Sequence, residues 1–472
     1  MTETAPRRAL LWLVAISFFM QTLDSTIVNT ALPAMAHDLG ESPLRMQSVI
    51  ISYSLVMAML IPISGWITDR FGTRKTFFTA IFVFTLGSLF CALSTTLNQL
   101  VLARVVQGAG GALLLPVGRL AVLQAVPRHE FLAAMSFVTI PGLVGPLIGP
   151  TLGGWLVEYS SWHWIFFINI PIGFVGCLAS LRFMPDFRSA ARPLLDLSGF
   201  LLLAFSMAAI SIALEGMAEL GLRGAYGVVI LIFGLASLAA YWLHALKHPA
   251  PLFPLQLFST DSYRIGLIGN LFARIGTGAM PFLVPLMLQV GLQLTPSEAG
   301  MMMIPIALAG MLVKKLGMPL IVRFGYRRIL IVNTFVVGGL MASFALFGGH
   351  HPQWLRYLQL SIFGAANSLQ FTAMNTISLK DLDRQMASSG NSLLSMVQML
   401  SMSLGVAGAG GLLAAISRQL GADTPADVMR AFQYTFICVG LVTAASACIF
   451  WQLEPDSKGE LKPGEEPELE MG

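Results

Sequence analysis

Runs of about twenty apolar residues, separated by short charged or Pro/Gly-rich breaks, recur from residue 9 to residue 453. A hydrocarbon layer about 30 Å thick is crossed by about 20 residues of helix. That layer holds no water to satisfy a backbone N–H or C=O, and a helix pairs them within the run itself. Composition agrees: 56% of the 472 residues are hydrophobic and 11% charged, against about 25% charged in soluble domains. The chain is therefore read as an all-α integral membrane protein.

The breaks predict about fourteen transmembrane helices, over 9–33, 45–67, 76–95, 98–121, 131–157, 163–184, 196–215, 221–246, 263–290, 298–322, 328–348, 354–378, 386–417 and 431–453. Arg7-Arg8 followed by LLWLVAISFFM, with Ala34-Met35-Ala36 downstream, has the outline of a cleaved leader. Its apolar stretch runs past the usual length of about 7–15 residues. Gln21, Asp24 and Asn29 interrupt it before any cleavage site, so it is taken as a retained first helix. The four cysteines, Cys91, Cys177, Cys438 and Cys448, all fall inside apolar runs without a CxxC pair and are expected to be packing residues.

With the N-terminus inside, about 18 Lys and Arg residues fall in cytoplasmic segments, among them Arg7, Arg8, Arg70, Arg74, Lys75, Arg323, Arg327 and Arg328; about 5 fall outside, namely Arg45, Arg223, Arg356, Arg418 and Arg430. An even number of spans returns the C-terminus to the cytoplasm. The acidic tail, 454–472, has no apolar face and is expected to be disordered.

The chain also echoes itself. Asp69-Arg70-Phe71-Gly72-Thr73-Arg74-Lys75 follows the second span, and Val322-Arg323-Phe324-Gly325-Tyr326-Arg327-Arg328 follows the tenth. Two six-helix bundles, 9–184 and 263–453, with two extra helices at 196–246 between them, would put these segments at equivalent places. Such pseudo-symmetry belongs to transporters that alternate access around a site at the bilayer midplane.

Several further segments occur in a fixed order: Leu23-Asp24-Ser25-Thr26-Ile27-Val28-Asn29-Thr30-Ala31-Leu32-Pro33; Gly65-Trp66-Ile67-Thr68-Asp69-Arg70-Phe71-Gly72-Thr73-Arg74-Lys75; Arg104-Val105-Val106-Gln107-Gly108; Gly145-Pro146-Leu147-Ile148-Gly149-Pro150-Thr151-Leu152-Gly153-Gly154; and Trp162-His163-Trp164-Ile165-Phe166-Phe167-Ile168-Asn169-Ile170-Pro171. Together they resemble the motif set of the major facilitator superfamily, in its 14-span drug:proton antiporter branch. The resemblance implies proton-driven, multidrug-type efflux of small organic compounds across the bacterial inner membrane by alternating access. It implies no cofactor, no metal and no nucleic-acid partner, and a monomer is expected.

The residues have their own physics. Asp24 lies about 15 residues into an outward-running helix, or about 22 Å, and Arg104 lies about 17 residues from the cytoplasmic end of an inward-running one, or about 25 Å. The two charges thus share a depth, and an unpaired charge there is costly enough that each must face a partner or a wet cavity. A carboxylate that alternates between wet and dry surroundings, beside an arginine, can load and release a proton. A permanent ion pair that only fixes packing is the alternative.

Asp69, with Gly65, Arg70, Gly72 and Arg74, forms the candidate latch. Asp69 would dock at the positive N-terminal end of the thirteenth helix, near Ala387-Ser388-Ser389-Gly390, when the cytoplasmic side closes. The arginines can equally be topology anchors. Gly145, Gly149, Gly153 and Gly154 permit close helix approach, and Pro146 and Pro150 introduce bends. Ordinary small-residue packing would look the same.

In the second half, Arg274, Lys314 and Lys315 fall near mid-depth, and spans 9 to 14 contain no acidic residue at that depth to neutralise them, Glu298 standing at the outer end of the tenth. With Asn29, Gln107, Asn270 and Gln370 they are the candidate cavity groups. Their charge suits an anionic or zwitterionic cargo such as a metabolite or a metal chelate. Lysines that snorkel to the interface are the alternative. There is no GxxxxGK[ST] loop, HExxH or paired Cys/His ligand set, and no loop is long enough to hide a catalytic domain. The chain is not expected to be an enzyme, and its energy must come from an ion gradient.

Overall fold

The computed structural model describes residues 4–126, 128–188, 195–219, 224–346, 352–382, 384–421 and 424–454; past its first residue, the tail expected to be disordered lies outside them. Every element among the described residues is helical. The helices are α1 (Thr4–Asp38), α2 (Gln47–Phe71), α3 (Thr73–Ala92), α4 (Leu97–Ala125), α5 (Arg128–Tyr159), α6 (Trp164–Phe183) and α7 (Leu197–Glu219). They continue as α8 (Gly224–Lys247), α9 (Asp261–Gly291), α10 (Pro296–Phe324), α11 (Tyr326–Leu346), α12 (Gln353–Leu379), α13 (Arg384–Leu420) and α14 (Pro425–Ala445, continued by Ala447–Phe450). Among the described residues, twelve helices are long and apolar enough to cross a membrane, and α12 is not one of them. In α12 the run is diluted by Asn367, Gln370 and Asn375.

Local chemistry sets the breaks. Pro62 lies in a 3-10 turn, Ile61–Ile63, that interrupts α2, because its ring removes a helical N–H and crowds the preceding turn. Thr295 caps α10 by accepting from the Glu298 amide while the Glu298 carboxylate accepts from the Thr295 amide, with Pro296 at the first position. Past Pro281 and Pro285, α9 ends in a π turn, Met287–Gly291.

Packing follows a doubled plan. In the first half α1 packs on α4, α5 and α6, α2 on α4, and α3 on α4 and α6. In the second, α9 packs on α12, α13 and α14, α10 on α12, and α11 on α12 and α14, pair for pair. The two joints bearing the repeated motif match in backbone as well. Gly72 (φ 89°, ψ 154°) and Gly325 (φ 81°, ψ 155°) take the same left-handed turn that only glycine adopts without strain. The halves meet along two seams, α5 against α10 and α2 against α13. The α7/α8 hairpin packs through α7 on both helices of the second seam. An apolar cluster including Ala58, Met207, Phe253, Tyr263 and Leu394 joins it there.

Candidate functional site

Inside the first half, α1, α2, α3, α4 and α6 converge on one polar cluster. Arg104 Nη1 donates to Asp24 Oδ2 at 2.6 Å and to Gln107 Oε1 at 2.6 Å, and its Nε donates to the Val49 carbonyl at 3.2 Å. Asp24 Oδ1 accepts from Gln107 Nε2 at 2.7 Å and from Asn169 Nδ2 at 2.9 Å. Both amides also reach the Ser88 hydroxyl, at 2.7 and 3.3 Å. The guanidinium lies 4.1 Å from the centre of the Tyr53 ring, a cation–π contact that is stronger in a dry site. Asp24, Arg104, Gln107, Ser88, Asn169 and Tyr53 are all buried. The first two are therefore a desolvated ion pair held further by two neutral amides and a backbone carbonyl, the kind of added hydrogen bonding that makes a buried pair tolerable.

Sequence depth brought Asp24 and Arg104 together correctly. Gln107, expected in the cavity, instead completes this cluster. Asn169, Ser88 and Tyr53 were not singled out, although Asn169 stood inside a quoted motif and was the one amide in an otherwise apolar stretch. Asn29 is buried on α1 with its Oδ1 unpartnered among the described residues.

The second half holds a different arrangement. Arg274 on α9 is half-buried, its guanidinium 4.4 Å from the centre of the Phe371 ring on α12. No carboxylate among the described residues pairs with it. One turn away, Asn270 donates to the Gly266 carbonyl at 3.0 Å, and Gln398 Nε2 donates to Asn270 Oδ1 at 3.4 Å and to Asn375 Oδ1 at 2.5 Å. Gln370 is turned the other way, buried against α11, where it accepts from Asn333 at 2.8 Å and donates to Thr334 at 2.6 Å. Lys314 is exposed, four residues after Gly310 and three before Gly317, both of which abut α12. It therefore shares the α12 face and not the exposed stripe of Leu308, Leu312 and Leu316. The Lys315 side chain lies outside the described residues.

Within the first half and between the halves, small residues let backbone meet backbone. Gly145, Gly149 and Gly153 bring α5 onto Thr22, Thr26 and Ile27 of α1, leaving no room for a Cβ. Thr26 Oγ1 reaches the Gly145 carbonyl at 3.5 Å. Pro141, Pro146 and Pro150 all lie within α5. Gly154 sits against the Pro296 carbonyl of α10, and Gly300 of α10 sits against the Pro150 carbonyl of α5. Thr151 Oγ1 donates to the Gly300 carbonyl at 3.2 Å, the Ser297 amide to Glu158 Oε2 at 3.0 Å, and Gln289 Nε2 to the Thr30 carbonyl at 2.9 Å.

The motif joint is tied to its own half. Thr73 Oγ1 donates to the Pro185 carbonyl at 2.6 Å and Arg74 Nε to the Met184 carbonyl at 2.6 Å. Asp69 is half-buried, Arg70 is exposed, and Gly65 has open space where a Cβ would stand. Of the expected dock for Asp69, Ser389 is half-buried and Gly390 is buried with its carbonyl accepting from Tyr263, while the side chains of Ala387 and Ser388 lie outside the described residues.

The family description Major Facilitator Superfamily matches residues 14–406. A protein of Yersinia enterocolitica that carries the name multidrug resistance protein MdtD is 51% identical over 456 residues, covering 95% of this chain and 96% of that one. A protein of the same name from Serratia proteamaculans is 50% identical over 456 residues, covering 96% and 95%. Among solved structures, a bacterial homologue of the human lysosomal transporter Spinster superposes with a TM-score of 0.68 at 15% identity, covering 95% of this chain and 96% of that one. A D-xylose–proton symporter superposes with a TM-score of 0.66 at 14% identity, covering 95% and 98%. With its doubled helical plan and matching sequence over most of its length, this chain belongs to the Major Facilitator Superfamily and is a multi-span membrane transporter of small molecules, not an enzyme.

Proposed function

We propose that the protein exports small organic compounds across the bacterial inner membrane in exchange for protons, by alternating access between two six-helix bundles, 9–184 and 263–453. On this reading α5 and α12 also cross the membrane, giving fourteen spans with both termini in the cytoplasm, and the transporter works as a monomer. The observation that carries it is the dry Asp24–Arg104 pair. A fully desolvated carboxylate on a helix that packs along α5, itself one side of a seam between the halves, will change its solvation when that seam moves, and with it its proton affinity. The relatives' names supply the multidrug class of cargo. In everted vesicles loaded by respiration, adding a transported drug should release protons and dissipate the pH gradient, and Asp24→Asn should abolish that response. A full response in Asp24→Asn would remove the coupling role.

Asp69 is the proposed latch. In the conformer seen here the seam contacts gather at the Tyr159 end of α5 and the Pro296 end of α10, while Gly65 stands open. Closure at the opposite end would carry Asp69 to the start of α13, where helical N–H groups favour an anion.

A second reading concerns the cargo. Arg274, with no carboxylate partner among the described residues and with Asn270, Asn375 and Gln398 nearby, favours an anionic metabolite or a carboxylate–metal complex over a lipophilic cation. Comparing cell contents of deletion and overexpression strains separates the two. Accumulated carboxylates in the deletion strain favour the anion, and unchanged carboxylates with altered dye retention favour the drug.

A further inference from the structure

The α7/α8 hairpin, which neither ion coupling nor cargo binding uses, gathers three metal-ligating side chains at one end. His244 lies in the last turn of α8 and His248 just beyond it, the His248 amide donating to the His244 carbonyl at 2.9 Å. The four-residue spacing puts both imidazoles on one face, and the rings stack with centroids 5.0 Å apart. Asp196, immediately before α7, closes the group, its Oδ1 2.7 Å from His244 Nε2. The three residues can each place one ligand atom within 4.8 Å of the others.

We propose that Asp196, His244 and His248 form a binding site for a divalent transition-metal ion of the zinc class, fastening the end of the hairpin. The donor set selects the ion. Two imidazoles and one carboxylate suit zinc, nickel, copper or iron, whereas calcium and magnesium require mainly oxygen donors. At bond lengths of about 2.0–2.1 Å, tetrahedral ligand atoms stand about 3.3 Å apart. The Asp196–His244 pair is already inside that span, with the ion replacing the shared proton, and rotation of the partly exposed His248 side chain closes the remainder. Three protein ligands leave a fourth position for water.

Asp196 is positioned before any ion arrives. Its Oδ1 accepts from the Gly199 amide at 2.8 Å and its Oδ2 from the Leu252 amide at 3.1 Å. These are the outer hydrogen bonds that orient a metal-binding carboxylate. Burial pushes its carboxyl up, but the Gly199 amide, His244 and the Leu252 amide together outweigh it and hold the group below the ordinary aspartate value. His244 is 23% exposed at the side chain, which leaves the site open to an ion from solution. Because Leu252 leads into the segment feeding α9, and α7 packs on both helices of a seam, a bound ion would stiffen the hairpin where it meets both halves. Asp196 bonds to Gly199, His244 and Leu252 and to no member of the Asp24 cluster or of the amide group beside Arg274, so the ion is proposed as a fastening and not as cargo.

The test uses untagged full-length protein purified in detergent, stripped with chelator and titrated with cobalt(II) alone. The expected result is one saturable equivalent with the intense visible absorption of a low-coordinate cobalt site, reversed by zinc. His244→Ala and His248→Ala should each weaken binding at least ~10-fold, with the melting temperature of the metal-free protein retained in His248→Ala, whose ring stacks on His244 and accepts the exposed Ala250 amide. His248→Gln, which keeps a polar end, should show the same loss and serves if alanine destabilises the chain. No saturable binding by the wild type, or equal affinity in the histidine variants, would overturn the site.

Discussion

Gly154 on α5 and Gly300 on α10 lock the two halves reciprocally: each faces a backbone carbonyl of the opposite helix, Pro296 for the first and Pro150 for the second, with no space for a Cβ on either. This is a dry contact of backbone against backbone. It can form or break as a unit, but it cannot be loosened by degrees, because packed surfaces resist partial separation.

Replacing either glycine by valine should therefore oppose this conformer by about 1–3 kcal/mol, the usual cost of overpacking. In a cysteine-free background, a reporter cysteine at Thr151 should react faster with a membrane-impermeant maleimide added outside when Gly300→Val is present. Unchanged labelling would mean that the seam does not gate access.

Removing one member of the buried ion pair should cost more than removing both. Asp24→Asn leaves the Arg104 charge buried without its counter-ion, which is expected to destabilise the fold by about 3–5 kcal/mol. Adding Arg104→Gln should recover part of that loss, because two neutral amides can share the bonds to Gln107 and Asn169. Thermal unfolding in detergent measures the cycle, and proton coupling should stay absent in both variants. A double variant as unstable as Asp24→Asn would argue that geometry, and not charge, holds the cluster.

If the cargo is anionic, Arg274→Ala should weaken its apparent affinity by an amount typical of a charged hydrogen bond, about 1.5–3 kcal/mol or roughly 10–100-fold. Arg274→Lys should retain part of the binding, and efflux of cationic dyes should be unaffected in either. Competition assays in vesicles with dicarboxylates would show the difference.

Asp196 gives a pH prediction whose sign follows from its surroundings. Its folded value is held below the ordinary one, so its contribution to stability is present above about pH 4. That contribution is lost as pH falls through the folded value. Melting temperature of the metal-free protein should drop on acidification below about pH 4 with a steeper slope in the wild type than in Asp196→Asn. Equal slopes would show that the carboxylate is not held by its partners.

How much of this could be read from the residues follows from what each element needs locally. The helices could be read because a membrane run must be long and apolar whatever it packs against. Asp24 and Arg104 could be placed together because helical rise converts sequence position into depth, and opposite charges at one depth in oil have each other as the nearest available partner. Neutral amides carry no such demand. Gln107 and Gln370 were both expected in the cavity, yet one faces Asp24 and the other Asn333, and no local pattern encodes which neighbour a helix turns its amide toward. The hairpin cluster was overlooked for a related reason. The spacing of His244 and His248 was visible, but their third partner, Asp196, lies 48 residues from His244 and looks like an ordinary helix cap.

The inserted hairpin has a geometric effect of its own. It leans on α2 and α13, while among the described residues the corresponding flank, where α5 runs beside α10, carries no such buttress. A molecule dissolved among the lipid tails therefore meets two unequal flanks, one covered by the hairpin and the other bare.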